Sequence, residues 1–104
     1  MGVQLKRIDR HNYDIIVHAS GIVEYCVPLN GYCYSLEELQ KIVGGFIQII
    51  SPEGPNNMIV DEEGKLKEKK YNNYATNWCK SRKAIPENDF IVGDVLIVDK
   101  ERIM

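Results

Sequence analysis

The stretch Ser35-Leu-Glu-Glu-Leu-Gln-Lys-Ile-Val-Gly-Gly-Phe-Ile-Gln-Ile-Ile50 switches from a helix pattern to a strand pattern without an intervening loop. Ser35 and Glu38 form a Ser-x-x-Glu capping box, in which each side chain satisfies a backbone amide of the other residue. Leu36, Leu39, Ile42 and Val43 follow at helical spacing and give one apolar stripe. Gly44-Gly45 supplies the left-handed residue on which helices commonly end. Phe46 to Ile50 is aromatic and β-branched, which predicts a buried strand directly after the helix. A helix running straight into a strand points to helices packed on a sheet.

Working outward, Tyr13 to His18 and Ile22 to Val27 read as two strands joined by Ala19-Ser20-Gly21, a β-hairpin. Val3 to Ile8 also alternates, and either begins the first of these strands or forms a separate edge strand. On the other side, Ser51 to Asn57 carries two prolines and a glycine and reads as a loop. Met58 to Val60 is a short strand, and Asp61-Glu62-Glu63-Gly64 reads as a hairpin turn into Lys65-Leu66-Lys67. A second helix is expected from Asn72 or Asn73 to the region of Arg82 to Ile85, before Pro86, with Tyr74, Ala75, Trp78 and Cys79 on one face. Phe90-Ile91-Val92 and the strongly apolar Val95-Leu96-Ile97-Val98 close the chain as strand material. The expected fold class is α+β. Residues 1–104 are expected to form a single domain, a mostly antiparallel sheet with one or two helices packed on it.

Length and charge narrow the function. A chain of 104 residues accommodates one small domain. Thirteen Lys and Arg against fifteen Asp and Glu leave a net charge of -2, which argues against bulk nucleic-acid binding and against a polybasic membrane binder. The longest apolar runs, near Phe46 to Ile50 and Val95 to Val98, fall far short of the about 20 residues that span a bilayer. Three cysteines and no export signal predict free thiols in a reducing cytosol, hence a cytoplasmic protein.

Several constellations have simpler readings than chemistry. Cys26, Cys33, Cys79, His11 and His18 lack the paired spacing that brings two metal ligands together locally, so neither a metal nor a cofactor is expected. Val43-Gly44-Gly45 follows a helix instead of preceding one, which suits a C-cap and not a phosphate loop. Asp61, Glu62 and Glu63 are contiguous, unlike the alternating ligands of a calcium loop. No residues are assigned as catalytic, and the chain is read as a non-enzyme.

Cations and aromatics interleave in one region, from Lys65 through Lys69, Lys70, Tyr71, Tyr74 and Trp78 to Lys83. Such a surface suits nucleotides, because cations meet phosphate and aromatic faces stack on bases. It also fits an ordinary amphipathic helix whose Tyr74 and Trp78 pack inward at i and i+4. The expected ligand site lies at the start of the second helix, where free amides and the helix dipole favour an anion. Its residues are Asn73, Thr76, Lys69, Lys70, Tyr71 and Trp78.

Four segments carry a family likeness: Ser35 to Ile47, Met58 to Lys67, Asn72 to Thr76 and Asp89 to Val98. In this order, over roughly residues 35–98, the chain resembles the small phage and mobile-element family catalogued as domain of unknown function 3846. The resemblance implies a genomic context in which small proteins counter host defence. The expected function is therefore a phage or mobile-element accessory protein that binds and sequesters a nucleotide-like signalling molecule. The alternatives are an inhibitor that binds a host defence protein directly, and a structural or regulatory protein of the element. A homo-oligomer also stays open.

Overall fold

A computed structural model describes residues 13–103 of the chain. The expectation for Val3 to Ile8 lies outside the described residues. Strand β1 (Asp14–Val17) and strand β2 (Val23–Cys26) form the expected hairpin, pairing Ile15 with Tyr25 and Val17 with Val23. Its turn closes where the Gly21 amide donates to the His18 carbonyl, with Gly21 at a φ of 101° that favours glycine. Helix α1 (Leu36–Val43) then starts at the Ser35 and Glu38 capping box, both halves of which form. It ends on Gly44, whose φ of 83° is left-handed.

The remaining elements are β3 (Ile47–Ile50), β4 (Asn56–Asp61), α2 (Asn73–Ser81), β5 (Val95–Asp99) and a short 3₁₀ turn (Lys100–Arg102). The strands form one sheet in the order β2-β1-β5-β4-β3, antiparallel at every pairing. The apolar Val95 to Val98 run thus becomes the central strand, where both faces are covered. Along it, Val95 and Ile97 join Met58, Val60, Ala75 and Cys79 in the core under α2. Leu96 and Val98 join Ile59, Leu39 and Val43 in the core under α1. The fold is therefore α+β, with one helix on each face of the sheet. Each fully buried Leu, Ile, Val or Met contributes on the order of 1.5–3 kcal/mol.

Several local expectations are corrected. Phe46 to Ile50 is not a buried strand: among the described residues β3 lies at the sheet edge, pairing only with β4, and Phe46 and Ile49 are exposed. Leu36 also faces solvent, because α1 is so short that Leu39 and Val43 alone are fully buried on the sheet. Asn56 and Asn57 belong to β4 and not to the preceding loop. Lys65-Leu66-Lys67 is no strand. Successive turns over 62–68 replace it, tied by amides of Gly64, Lys67 and Lys69 to the carbonyls of Asp61, Glu63 and Gly64. Of Phe90 to Val92, only Val92 makes a ladder contact, a single bridge to Tyr71.

A buried polar network fixes the end of the chain. The Asp14 carboxylate accepts from the Tyr34 hydroxyl at 2.8 Å, the Arg102 guanidinium at 2.6 Å and the Asp99 amide at 3.0 Å. A carboxylate that is 1 % exposed needs such partners, since burying a charge without them is costly. Burial, together with the bonds to Cys26 and Asp14, pushes the Tyr34 hydroxyl far above its ordinary pKa.

Candidate functional site

The start of α2 is built by Asn72, one residue before the helix. Its side-chain oxygen accepts from the Ala75 amide, and its Nδ2 donates to the carbonyls of Val17 and Gly93. One buried side chain thus caps the helix and ties it to β1 and to the segment leading into β5. Thr76, a turn further on, is 1 % exposed, and its hydroxyl accepts from the Ile91 amide at 2.9 Å. Both residues at the helix start that could offer a hydroxyl or amide inward are engaged in holding the 91–93 segment. Asn73 points to the exposed side.

The expected lysines go to a different element. Lys69 donates to the Val43 carbonyl at 2.7 Å and pairs with Asp61 at 2.7 Å. Lys67 pairs with the same carboxylate and donates to the Gly44 carbonyl. These cations therefore neutralise the carbonyl end of α1, where the helix dipole is negative. The Lys69 stem lies against Gly93, where an added Cβ would sit 2.9 Å from its Cδ, so glycine is required there. Burial pushes the Asp61 carboxyl up, but hydrogen bonds from Lys67 and Lys69 and the Glu63 amide outweigh it and hold it at about 2.

Lys69 and Lys70 meet Lys41, Gly44, Gly93 and Asp94 around a shallow cleft of about 390 Å³. Asp94 is itself engaged, by the Ala19 amide and His18. His18 bridges Glu24 and Asp94, and the bond to Glu24, then that to Asp94, raises its pKa above the ordinary value of 6.5. An anion here would face the carbonyl end of α1, which works against binding.

The aromatic residues separate into two groups. Tyr71 sits with Phe90, ring centroids 6.0 Å apart, and Lys65 lies over the Phe90 ring. Trp78 belongs to a larger groove of about 570 Å³ between α2 and the far end of the sheet. Ile15 and Ile97, cross-strand partners, are among its lining residues, and Tyr13, Tyr74 and Trp78 bring three aromatic rings to it. Tyr13 is steadied by Tyr25, 5.5 Å away between ring centroids. Arg82, the one cation among the described lining residues, stacks at 4.1 Å over the Trp78 ring.

The polar groups of this groove are Glu53, Asn56 and Asp99. Asp99 and Asn56 are directly opposed in the β4–β5 ladder, and by alternation they share the α2 face with Ile97 and Met58. One Asp99 oxygen accepts from the Glu101 amide at 2.8 Å. Its second oxygen, the Glu53 carboxylate and the Asn56 carboxamide have no partner among the described residues. Asp14 also lines the groove, but its carboxylate is bound on the opposite face to Tyr34 and Arg102.

Of the six residues expected from sequence, the structure places Trp78 in the groove, Lys69 and Lys70 at the cleft, and Asn73, Thr76 and Tyr71 in neither. Tyr13, Asn56 and Asp99 escaped sequence reasoning because only the strand register brings them together. The alternation Val95, Ile97, Asp99 was the available signal, since it puts a carboxylate in line with two core residues.

The cysteines are all free, and Cys79 lies fully buried against Met58. Among the described residues, no three His, Cys, Asp or Glu side chains converge as a metal site. No helix among them is long and apolar enough to cross a membrane. A family model described as a domain of unknown function (DUF3846) matches residues 14–102. The match takes in β1 and β2, which the four sequence segments did not reach. No curated protein and no solved structure matches the chain.

Proposed function

The chain belongs to the DUF3846 family, and from that membership and the groove beside α2 we propose that it is a non-enzymatic protein that binds a nucleotide-like small molecule. The observation that carries this reading is the groove itself. Three aromatic rings, an apolar floor and a few unpaired polar groups meet in a space large enough for a base and its sugar. Stacking on an aromatic side chain is worth about 1–3 kcal/mol per base. Arg82 at the rim is the place for a phosphate. In the mobile-element context that the family likeness implies, such binding withdraws a signalling nucleotide from a host defence system.

The test is calorimetry of the purified chain against a panel of cyclic and linear nucleotides. At least one is expected to bind, and Tyr74→Ala should weaken it by about tenfold or more through lost stacking. A panel that gives no heat with any member rejects the reading.

A second reading draws on the other side of the hairpin. Among the described residues, strand β2 is a sheet edge, and Ile22, Val23, Tyr25 and Val27 on and beside it are all exposed. An apolar edge of this kind suits capture of a defence protein by strand addition. Protection of a defence-sensitive host in cells, lost on Tyr25→Lys but kept on Tyr74→Ala, would favour it over sequestration.

A further inference from the structure

We propose that the groove selects a guanine base, so that its ligand is a guanine nucleotide; this rests on the nucleotide reading above and adds the identity of the base. The argument starts from the pairing of Asn56 with Asp99 across β4 and β5. Opposed residues on one sheet face hold their Cβ atoms about 4.5–5.5 Å apart. Asn56 and Asp99 therefore present a carboxamide and a carboxylate side by side at one end of the groove, next to the Ile97 floor.

These two groups carry a defined pattern. An ionised carboxylate only accepts hydrogen bonds, whereas a carboxamide can also donate through its NH₂. Guanine shows the complementary edge, with O6 as acceptor beside the N1–H and N2–H₂ donors. The carboxylate can take both donors while the Asn56 amide donates to O6. The bond that Asp99 receives from the Glu101 amide uses one lone pair of one oxygen and leaves the other oxygen whole. Adenine and cytosine would instead turn a ring-nitrogen lone pair toward the carboxylate, which repels it. A site whose polar groups are left unpaired by the wrong ligand discriminates strongly.

The rest of the groove agrees with this orientation. Glu53 adds a second acceptor and repels phosphate, whereas Arg82 is the only cation among the described lining residues. The base edge thus goes to the carboxylates and the phosphate to Arg82. Tyr13 on the sheet side and Tyr74 on the helix side flank the ring.

The experiment titrates the full chain with guanosine, inosine, adenosine and cytidine 5′-monophosphates. Binding is followed by calorimetry and by fluorescence of Trp78, the single tryptophan. Guanosine monophosphate is expected to bind about tenfold more tightly than the inosine form, which lacks the N2 amine, and about a hundredfold more tightly than the adenosine form. Asp99→Asn keeps an oxygen for the Glu101 amide and should remove most of the guanine preference. Asn56→Ala gives an independent reading of the same ratio. Equal affinity for the adenosine and guanosine forms, or a ratio unchanged in both variants, overturns the choice of base and leaves the nucleotide reading standing. Binding of none of the four, together with none of the wider panel, overturns both.

Discussion

Asp61 shows how one carboxylate organises two elements. It ends β4, and its side chain is 1 % exposed, held by Lys67 and Lys69 from the following turns. The same lysines reach the last carbonyls of α1, so the carboxylate, both cations and the helix end form one electrostatic unit. Removing the charge on Asp61 leaves two lysines against the helix end without their counter-ion. The sign of the pH dependence follows from the lowered pKa. The folded state holds the carboxyl at about 2 against an ordinary 3.8, so its contribution is fully present above 3.8 and is lost as the pH falls through about 2. That shift corresponds to a contribution on the order of 2 kcal/mol. Urea unfolding of the wild type and of Asp61→Asn should therefore differ at pH 7, and the two should converge between about pH 4 and pH 2. A gap that is the same at pH 7 and pH 2 would show that Asp61 acts through shape and not through charge.

At the scale of elements, α1 separates what spacing can predict from what it cannot. Its start, its stop and its inward face are all written locally: Ser35 and Glu38 cap it, Gly44 ends it, and Leu39 and Val43 are buried. Leu36 has the right spacing for the stripe but projects from the first turn beyond the sheet and is 57 % exposed. Leu39→Ala should therefore cost about 2–5 kcal/mol, as buried truncations do, while Leu36→Ala should stay within about 0.5 kcal/mol. Similar losses at both positions, measured by denaturant unfolding, would contradict this packing. The same limit explains the other misreadings. Phe46 to Ile50 has the composition of a core strand, yet burial is set by its place in the strand order, and an edge strand has one neighbour fewer. The turns over 62–68 depend on where Asp61 finds its lysines, a pairing that no local pattern announces. The hairpin, both helices and the central strand were legible because their signals lie within a few residues of one another. The groove was not, because Tyr13, Asn56, Trp78 and Asp99 come from four separate segments.

Across the whole molecule, the two helices have different tasks. α1 covers the face whose core is closed by Tyr34, Ile59, Leu96 and Val98, and its polar attachments hold its two ends: Glu38 accepts from the Ser35 and Leu29 amides at the start, and Lys67 and Lys69 neutralise the carbonyl end. α2 covers the other face only in part: Ala75 and Cys79 sit in the core, while Tyr74, Trp78 and Arg82 overhang the end of the sheet at the groove. A ligand there touches β1, β4, β5 and α2 at once and leaves α1 untouched. Binding to the folded state alone stabilises it by mass action, about 2.7 kcal/mol at a ligand concentration one hundred times Kd. Global unfolding should therefore become harder for the entire chain, whereas local openings should be suppressed only where the ligand bridges elements. Hydrogen exchange of the protein with a bound nucleotide is expected to slow at Ile15, at Asn56 and Asn57, and along Tyr74 to Arg82. Under conditions where exchange proceeds by local opening, amides of Leu39 to Val43 should be unchanged. Protection centred instead on Lys41 to Gly44, Lys69, Lys70, Gly93 and Asp94 would place the ligand in the basic cleft, and the aromatic groove would lose its role.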